Sequence, residues 1–149
     1  MRIALGADHA GVALKEHIKR QLDERGLAYT DFGTNSTESV DYPDYASRAA
    51  HAVAGGEYER GILVCVTGIG MAIAANKVAG VRAAPVVDDF TAALSREHND
   101  ANVLALGARV TTPEVARRLV DTFLDTPFGG GRHPRRIDKI TVMESKASR

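Results

Sequence analysis

The sequence predicts one α/β domain, in which a five-stranded parallel sheet is covered by helices on both faces. Short apolar runs alternate with amphipathic or alanine-rich stretches along all 149 residues, a pattern typical of repeated strand–helix units. The run from Ile62 to Val66 is apolar at every position, as expected for a strand buried inside a parallel sheet. Helices on both faces of such a sheet make three layers, as in Rossmann-like folds.

The first strand and the first helix are marked by a change in hydrophobic pattern. Ile3 to Ala7 is an apolar run, and a polar, glycine-containing segment interrupts it. Apolar residues then recur every four positions, which predicts a helix with one buried stripe: Leu14, Ile18 and Leu22. The other faces of this helix are predicted to carry its charged residues: Lys15, Glu16, Lys19 and Arg20. Gly26 is the expected C-cap.

A second strand and a second helix follow. The strand is predicted over Leu27–Phe32, and the polar residues from Gly33 onward predict a loop. The alanine-rich helix after the loop has Pro43 in its first turn, where a missing backbone N–H is tolerated. This helix is predicted to end near Gly55.

The central strand ends in two closely spaced glycines. Ile62–Val66 leads into Thr67-Gly-Ile-Gly70, and the alanine-rich segment Met71–Lys77 favours helix. Glycines at such a junction permit a tight turn with free N–H groups, and the helix dipole adds positive potential there. The turn therefore suits an anion, or an oxygen that becomes anionic during a reaction. The only cysteine of the chain, Cys65, stands beside it.

The remaining elements continue the alternation. Arg82–Val87 is predicted as the fourth strand, although Pro85 removes a donor from its ladder. A helix capped by Asp88 or Asp89 is predicted to run to about His98. The fifth strand is predicted over residues 102–106.

The C-terminal part is predicted to contain two helices. Thr112-Pro-Glu114 is a helix start, and the buried face is predicted from the spacing of three residues: Val115, Leu119 and Phe123. Phe128–Pro134 is predicted to be a flexible basic loop. A terminal helix should then pack on another surface, such as a second subunit, through its apolar residues: Ile137, Ile140 and Val142.

Composition excludes several classes of function. Lys plus Arg and Asp plus Glu both number 19, so the overall charge favours neither nucleic acid nor a membrane surface. No apolar run approaches the roughly 18 residues of a spanning helix, and the chain begins in a strand rather than a signal peptide. One cysteine cannot form an internal disulfide, and no Cys/His cluster predicts a metal site. We therefore expect a reduced, cytoplasmic protein.

The common nucleotide-binding fingerprints do not match. Residues 6–11 have the glycine spacing of a P-loop, but Val12 stands where a lysine is required. The glycines of the central turn begin like a dinucleotide motif, yet Ile73 occupies the third position. A cysteine-phosphatase loop would need an arginine shortly after Cys65, and none is present. A nucleotide-binding regulatory module stays open on fold grounds alone.

Residue types alone leave the candidate site residues with two interpretations. A cysteine in a central strand is often an inert small hydrophobe, whereas a helix N-terminus next to Cys65 favours a reactive thiolate. His9 and His98 could be catalytic or merely solvent-facing. The same holds for four arginines, three of which lie in or beside a glycine-rich loop that could close over a phosphate: Arg109, Arg132, Arg135 and Arg136.

Five segments, in order along the chain, together resemble the ribose-5-phosphate isomerase B family, which also holds the galactose-6-phosphate isomerase subunits. The segments are Gly6-Ala-Asp-His-Ala-Gly11, Cys65-x-Thr-Gly-Ile-Gly-Met-x-Ile-Ala-Ala-Asn-Lys77, Ser95-Arg-Glu-His-Asn-Asp-Ala-Asn102, Leu106-Gly-Ala-Arg109 and Gly130-Gly-Arg-His-x-Arg-Arg136. The resemblance implies an aldose–ketose isomerase of the pentose phosphate pathway that acts on ribose 5-phosphate through a cis-enediolate, with no metal or organic cofactor. It also implies a homodimer, or a pair of such dimers, with shared active sites.

The resemblance assigns roles to particular residues. It implies four catalytic residues, with Cys65 as the base: Cys65, Thr67, Asp8 and His98. It implies ten residues that hold the substrate: His9, Tyr42, Val66, Gly68, Ile69, Gly70, Asn99, Arg109, Arg132 and Arg136. Met71 stands where another branch of the family has a glutamate base, which places this chain in the cysteine branch.

Some positions depart from the family pattern. Val66 replaces a usual glycine, Ala72 replaces a common serine, and Pro85 and Asp88 stand where other residues are frequent. A reshaped pocket could serve another sugar phosphate, such as a tetrose, allose or galactose phosphate. A non-catalytic module that binds a sugar or nucleotide phosphate is the alternative from a different functional class.

Overall fold

The computed structural model describes residues 1–147, and this part of the chain contains five strands and six helices. The strands are β1 Arg2–Ala7, β2 Ala28–Asp31, β3 Arg60–Cys65, β4 Ala83–Pro85 and β5 Val103–Gly107. The helices are α1 Val12–Glu24, α2 Tyr42–Ala54, α3 Ile69–Ala75, α4 Asp89–Glu97, α5 Pro113–Asp125 and α6 His133–Ala147. A 3₁₀ turn, His9–Gly11, links β1 to α1. The predicted alternation of strands and helices is confirmed.

All five strands form one parallel sheet in the order β2-β1-β3-β5-β4. The central strand β3 pairs with β1 through Ala7 opposite Val64, and with β5 through Cys65 opposite Gly107. Because the strands are parallel, their carboxyl ends meet at one edge of the sheet. Cys65 therefore lies at the middle of the carboxyl edge, between the segments that follow β1 and β5.

The sheet is covered on both faces, which confirms the three-layer prediction. Buried side chains of α1, α4 and α5 pack on one face, and those of α2 and α3 pack on the other. Consecutive residues of β3 alternate between these two cores, with Val64 in the first and Cys65 in the second. Cys65 thus belongs to the layer that contains α3, the helix of the glycine turn.

The fourth strand is shorter than predicted and lies at the edge of the sheet. β4 covers three residues, Ala83–Pro85, instead of the expected Arg82–Val87, and it pairs only with β5. An edge strand tolerates proline because the missing N–H costs no bond to a second neighbour. The next helix, α4, begins after Asp88, whose side chain accepts a hydrogen bond from the N–H of Thr91.

Lys15 was predicted to lie among the charged residues outside the apolar stripe of α1, yet the structure buries it. Its side chain is 1% exposed. The ammonium donates hydrogen bonds to Asp31, to the carbonyl of Thr34 and to the side chain of Asn35. Acceptors on β2 and the following loop compensate for the loss of water around the charge. Because these acceptors lie outside α1, the periodicity of the helix could not predict the burial of Lys15.

The basic loop near the C-terminus is shorter than predicted. It was expected to extend to Pro134, but α6 begins at His133, because proline fits the first turn of a helix. No residue of α6 is buried in this chain. Ile140, Val142 and Met143 are 43%, 52% and 69% exposed, so the helix presents an apolar surface that its own chain does not cover.

Candidate active site

A cavity of about 430 Å³ opens at the carboxyl edge of the sheet. Its lining residues are Asp8, Tyr42, Cys65, Val66, Thr67, Ile69, Gly70 and Ile73. Seven of these eight were predicted from the sequence as site residues. Ile73 was not, although it lies one helical turn after Ile69 and so shares a face of α3 with it; that spacing was the available signal.

The sulfur of Cys65 receives a hydrogen bond from the glycine turn. Cys65 is only 4% exposed, and the N–H of Gly68 donates to its Sγ at 3.2 Å. Gly68 has a φ of 82°, in the left-handed region, and a Cβ there would lie 3.0 Å from the backbone carbon of Leu106. Only glycine fits this conformation and this space, so the turn can point its N–H at the thiol.

Further N–H groups of the turn are available to a ligand. The N–H of Ile69 donates to the Oγ1 of Thr67 at 3.3 Å. Within residues 1–147, the N–H groups of Thr67 and Gly70 donate to no other protein group. Unpaired N–H groups at the start of a helix can accept an anionic oxygen. The arrangement can therefore stabilise negative charge beside Cys65.

Tyr42 forms one wall of the cavity by packing on Gly70. A Cβ at Gly70 would lie 2.8 Å from the Cζ of Tyr42, so the close approach of the ring requires glycine. Tyr42 is the first residue of α2. Its side chain is 41% exposed, which leaves part of the ring accessible from the cavity.

Asp8 and His9 follow β1 and are held by backbone donors. The Oδ1 of Asp8 accepts hydrogen bonds from the N–H groups of Ala10 and Gly11, at 3.0 and 3.1 Å. Its second oxygen makes no hydrogen bond within residues 1–147. The N–H of Val40 donates to the Nδ1 of His9 at 3.2 Å. A neutral His9 ring therefore carries its proton on Nε2.

Arg109 also lies at the carboxyl edge, but it does not line the cavity. The backbone beyond β5 continues to pair with the turn, since the N–H of Ala108 donates to the carbonyl of Cys65 at 2.8 Å. The N–H of Arg109 donates to the carbonyl of Val66 at 3.1 Å. The Arg109 side chain is exposed and starts next to the cavity rim.

The other predicted residues lie toward the opposite edge of the sheet, where the strands begin. Helix α4 starts beyond the carboxyl end of β4 and ends before the start of β5, so its nine residues carry the chain about 14 Å toward the amino edge. His98 follows this helix. It lines a separate cavity of about 360 Å³ together with Arg132 and His133. Asn99 lines a third cavity, next to Ala83 and α6.

This second group of residues combines histidine and arginine side chains with one carboxylate, Glu97. The rings of His98 and His133 stack with their centroids 4.3 Å apart, and the N–H of Gly129 donates to the carbonyl of Glu97. Partial burial is the largest cause that lowers the pKa of His133 below its usual range; the neighbouring His98, Arg132 and Arg136 lower it further, and Glu97 acts in the opposite direction. His133 was not predicted as a site residue. The sequence signals were its place in the basic loop and in the fifth family segment, residues 130–136.

No helix among residues 1–147 is both long enough and apolar enough to cross a bilayer.

Known proteins are similar to this chain over nearly its whole length. The family described as Ribose/Galactose Isomerase matches residues 3–140. "Ribose-5-phosphate isomerase B" of Escherichia coli is 51% identical over 97% of both chains. "D-erythrulose-4-phosphate isomerase" of Pectobacterium atrosepticum is 46% identical over 97% of this chain and 95% of its own. The structure of Clostridium thermocellum ribose-5-phosphate isomerase B superposes with a TM-score of 0.97, at 51% identity over 99% of both chains.

The match agrees with the resemblance carried by the five sequence segments. It also agrees with the fold, since the five-stranded parallel sheet and its helices superpose on a solved member along almost the entire chain. The chain therefore belongs to the Ribose/Galactose Isomerase family.

Proposed function

We propose that the chain interconverts ribose 5-phosphate and ribulose 5-phosphate, with Cys65 as the base. The observation that carries this proposal is the lone thiol, placed at the 430 Å³ cavity and hydrogen-bonded by Gly68. Family membership makes the chain an aldose–ketose isomerase of a phosphorylated sugar. The choice of ribose 5-phosphate is supported by the 51% identity to the Escherichia coli enzyme of that name.

In the proposed reaction, the Cys65 thiolate removes the proton from the carbon next to the carbonyl of the open-chain sugar. The electron pair forms a carbon–carbon double bond and pushes charge onto the carbonyl oxygen, which creates a cis-enediolate. The thiol then returns the proton to the neighbouring carbon, while the proton of the adjacent hydroxyl passes to the former carbonyl oxygen and the hydroxyl oxygen becomes the new carbonyl. No atom is gained or lost. The hydrogen bond from Gly68 favours the thiolate, because a donor to the charged form stabilises it.

The oxygen of the enediolate needs its own donors. In the proposal, the backbone N–H groups of residues 66–70 supply them, supported by the unpaired N–H groups of Thr67 and Gly70. Preorganised donors of this kind often provide the largest single contribution to catalysis. The hydroxyl of Thr67 is placed to bind the thiolate or the substrate. The mechanism uses no metal or organic cofactor.

Asp8 and His98 are proposed to move hydroxyl protons while the sugar ring opens. Two backbone donors fix one oxygen of Asp8 and leave its second oxygen for the substrate. An imidazole is suited to proton transfer near neutral pH. Tyr42 and Asn99 would contact sugar hydroxyls, while four cationic or polar residues would hold the phosphate: His9, Arg109, Arg132 and Arg136.

These roles require residues from both edges of the sheet, which one chain cannot bring together. We infer that the active site is shared in a homodimer, with Cys65 from one subunit and His98 from its partner. The separate cavities around these two residues support this arrangement. So does the exposed apolar surface of α6, which a second subunit could cover. A two-fold dimer would contain two equivalent sites.

The reactive thiol also bears on localisation. A thiolate base must stay reduced, and Cys65 is free in the structure. Reducing conditions are characteristic of the cytosol. We therefore propose a cytoplasmic enzyme.

A tetrose phosphate is the second candidate substrate. It is favoured by the 46% identity to D-erythrulose-4-phosphate isomerase and by Val66, whose side chain takes up space at the cavity beside the thiol. A coupled assay across tetrose, pentose and hexose phosphates tests the choice. We expect the highest kcat/KM for ribose 5-phosphate; a higher value for erythrulose 4-phosphate would reassign the substrate.

The arginines near α6 should determine the affinity for phosphate. Arg136→Ala and Arg132→Ala are each expected to weaken binding of the phosphorylated substrate by about 1.5–3 kcal/mol, the range for hydrogen bonds to charged groups. Inhibition by inorganic phosphate should weaken in parallel. Arg135→Ala is the matched control, because Arg135 is also exposed and lies about 100° from Arg136 around the axis of α6. Unchanged KM and phosphate inhibition in the first two variants would leave these arginines as surface residues.

A further inference from the structure

A buried lysine anchors the loop that contacts His9. We propose that Lys15 is a positioning residue, which fixes the imidazole of His9 in the active site by holding the loop of residues 33–40. This inference rests on the proposed role of His9 at the phosphate end. Lys15 lies on α1 and does not line the active-site cavity, so any effect on the reaction must pass through other residues.

The ammonium of Lys15 makes all its contacts to the end of β2 and to the loop. It lies 3.0 and 2.9 Å from the two carboxylate oxygens of Asp31. It donates to the carbonyl of Thr34 at 2.6 Å and to the Oδ1 of Asn35 at 2.9 Å. An ammonium has three N–H donors, and three acceptor groups surround this one. Asp31, at the end of β2, compensates the charge, but the ammonium keeps all three hydrogen bonds only while the start of the loop stays in place.

A series of hydrogen bonds connects this anchored end of the loop to the residues that follow it. The N–H of Thr34 donates to the carbonyl of Ala7 at 3.1 Å. The N–H of Ser36 then donates to the Oγ1 of Thr34, and the N–H of Glu38 to the Oγ of Ser36, at 3.3 and 3.1 Å. Residues 35–39 are all exposed. No apolar burial therefore holds the middle of the loop, which makes the buried end at Thr34 its anchor.

The loop ends on the histidine ring. The N–H of Val40 donates to the Nδ1 of His9 at 3.2 Å, and within residues 1–147 this is the one hydrogen bond of that ring. The bond fixes both the orientation of the imidazole and its tautomer, with the proton on Nε2. A displaced loop would release the ring, so the substrate would lose a preorganised partner.

Lys15→Met tests the proposal because methionine keeps an unbranched apolar chain without the charge. We expect KM for ribose 5-phosphate to rise about tenfold, while kcat stays within about threefold, since the lost interaction contributes to substrate binding rather than to the transition state alone. Nitrogen NMR of the His9 ring should show Nδ1 losing its hydrogen bond. Lys19→Met is the matched control: Lys19 also contacts Asp31, at 3.4 Å, but makes no contact with the loop, and its KM should stay within about twofold.

A double-mutant cycle separates this proposal from the proposed function. If Lys15 acts through His9, the tenfold effect should fall below about twofold in a His9→Ala background. The positioning role would be refuted if Lys15→Met still raised KM tenfold in the His9→Ala background. It would also be refuted if His9→Ala raised KM and Lys15→Met left KM unchanged. If His9→Ala leaves KM unchanged, the phosphate role of His9 fails instead, and the NMR signal of the ring in Lys15→Met decides the anchoring by itself.

Removing a buried charge can prevent folding, so two further variants are needed. Lys15→Met/Asp31→Asn restores the charge balance and keeps an oxygen for the N–H of Gly33, which Asp31 binds at 3.0 Å. Asn35→Ala removes one contact of Lys15 at an exposed position. We expect the His9 signal to change and KM to rise in both, by about threefold for Asn35→Ala. Unchanged KM and an unchanged His9 signal in both variants would refute the inference.

Discussion

Cys65→Ala is expected to abolish isomerisation while the protein still folds and binds sugar phosphate. Among residues 1–147, Cys65 is the one titratable group lining the carboxyl-edge cavity that receives a hydrogen bond from the glycine turn. Loss of one oxyanion donor costs about 10²–10³ in rate, and loss of the base that abstracts a carbon-bound proton should cost more. We therefore expect a decrease in kcat of at least about 10³-fold, measured in the coupled assay.

Two measurements distinguish a lost base from a damaged fold. Stabilisation of Cys65→Ala by ribose 5-phosphate in thermal unfolding would show that substrate still binds. Val64→Ala is the matched control, because it also removes buried atoms from β3 but in the core on the opposite face of the sheet; it should retain activity while it is folded. Activity of Cys65→Ala within tenfold of the parent would exclude Cys65 as the base.

Two inactive variants should restore activity to each other when they share a dimer. In one chain, Cys65 and His98 lie at opposite edges of the sheet, and the two cavities that they line share no residue. The two variants are Cys65→Ala and His98→Ala. If each site combines Cys65 of one subunit with His98 of its partner, a mixed dimer has one site with both lesions and one with neither. Random pairing makes half of the dimers mixed, so up to about a quarter of parental activity should return.

The complementation is measured after unfolding and refolding the two variants together. Each variant refolded alone is the control and should stay inactive. Different affinity tags on the two chains would allow mixed dimers to be isolated and counted. Isolated mixed dimers with no activity would place Cys65 and His98 in one subunit's site and refute the shared arrangement.

Much of the fold could be predicted from local pattern. Most predicted helices and strands are present, and the helix caps at Asp88 and Thr112 are confirmed. The glycine turn was also predicted, since a glycine with positive φ at a strand–helix junction has few substitutes. Some boundaries moved: α3 begins at Ile69 rather than Met71, and Val66 lies outside β3, because capping and turn geometry depend on neighbours that composition does not describe.

The sequence by itself determined the order of elements and the place of Cys65 at the carboxyl edge, because the period of apolar residues and the glycine turn are local properties of the chain. Only the tertiary structure decided two further points. Lys15 is buried because Asp31, Thr34 and Asn35, which are 16–20 positions away, supply acceptors to its charge. His98 lies at the opposite edge of the sheet from Cys65, because α4 runs antiparallel to the strands and carries the chain back to their amino ends. Residues of one predicted site are therefore separated by the length of the strands.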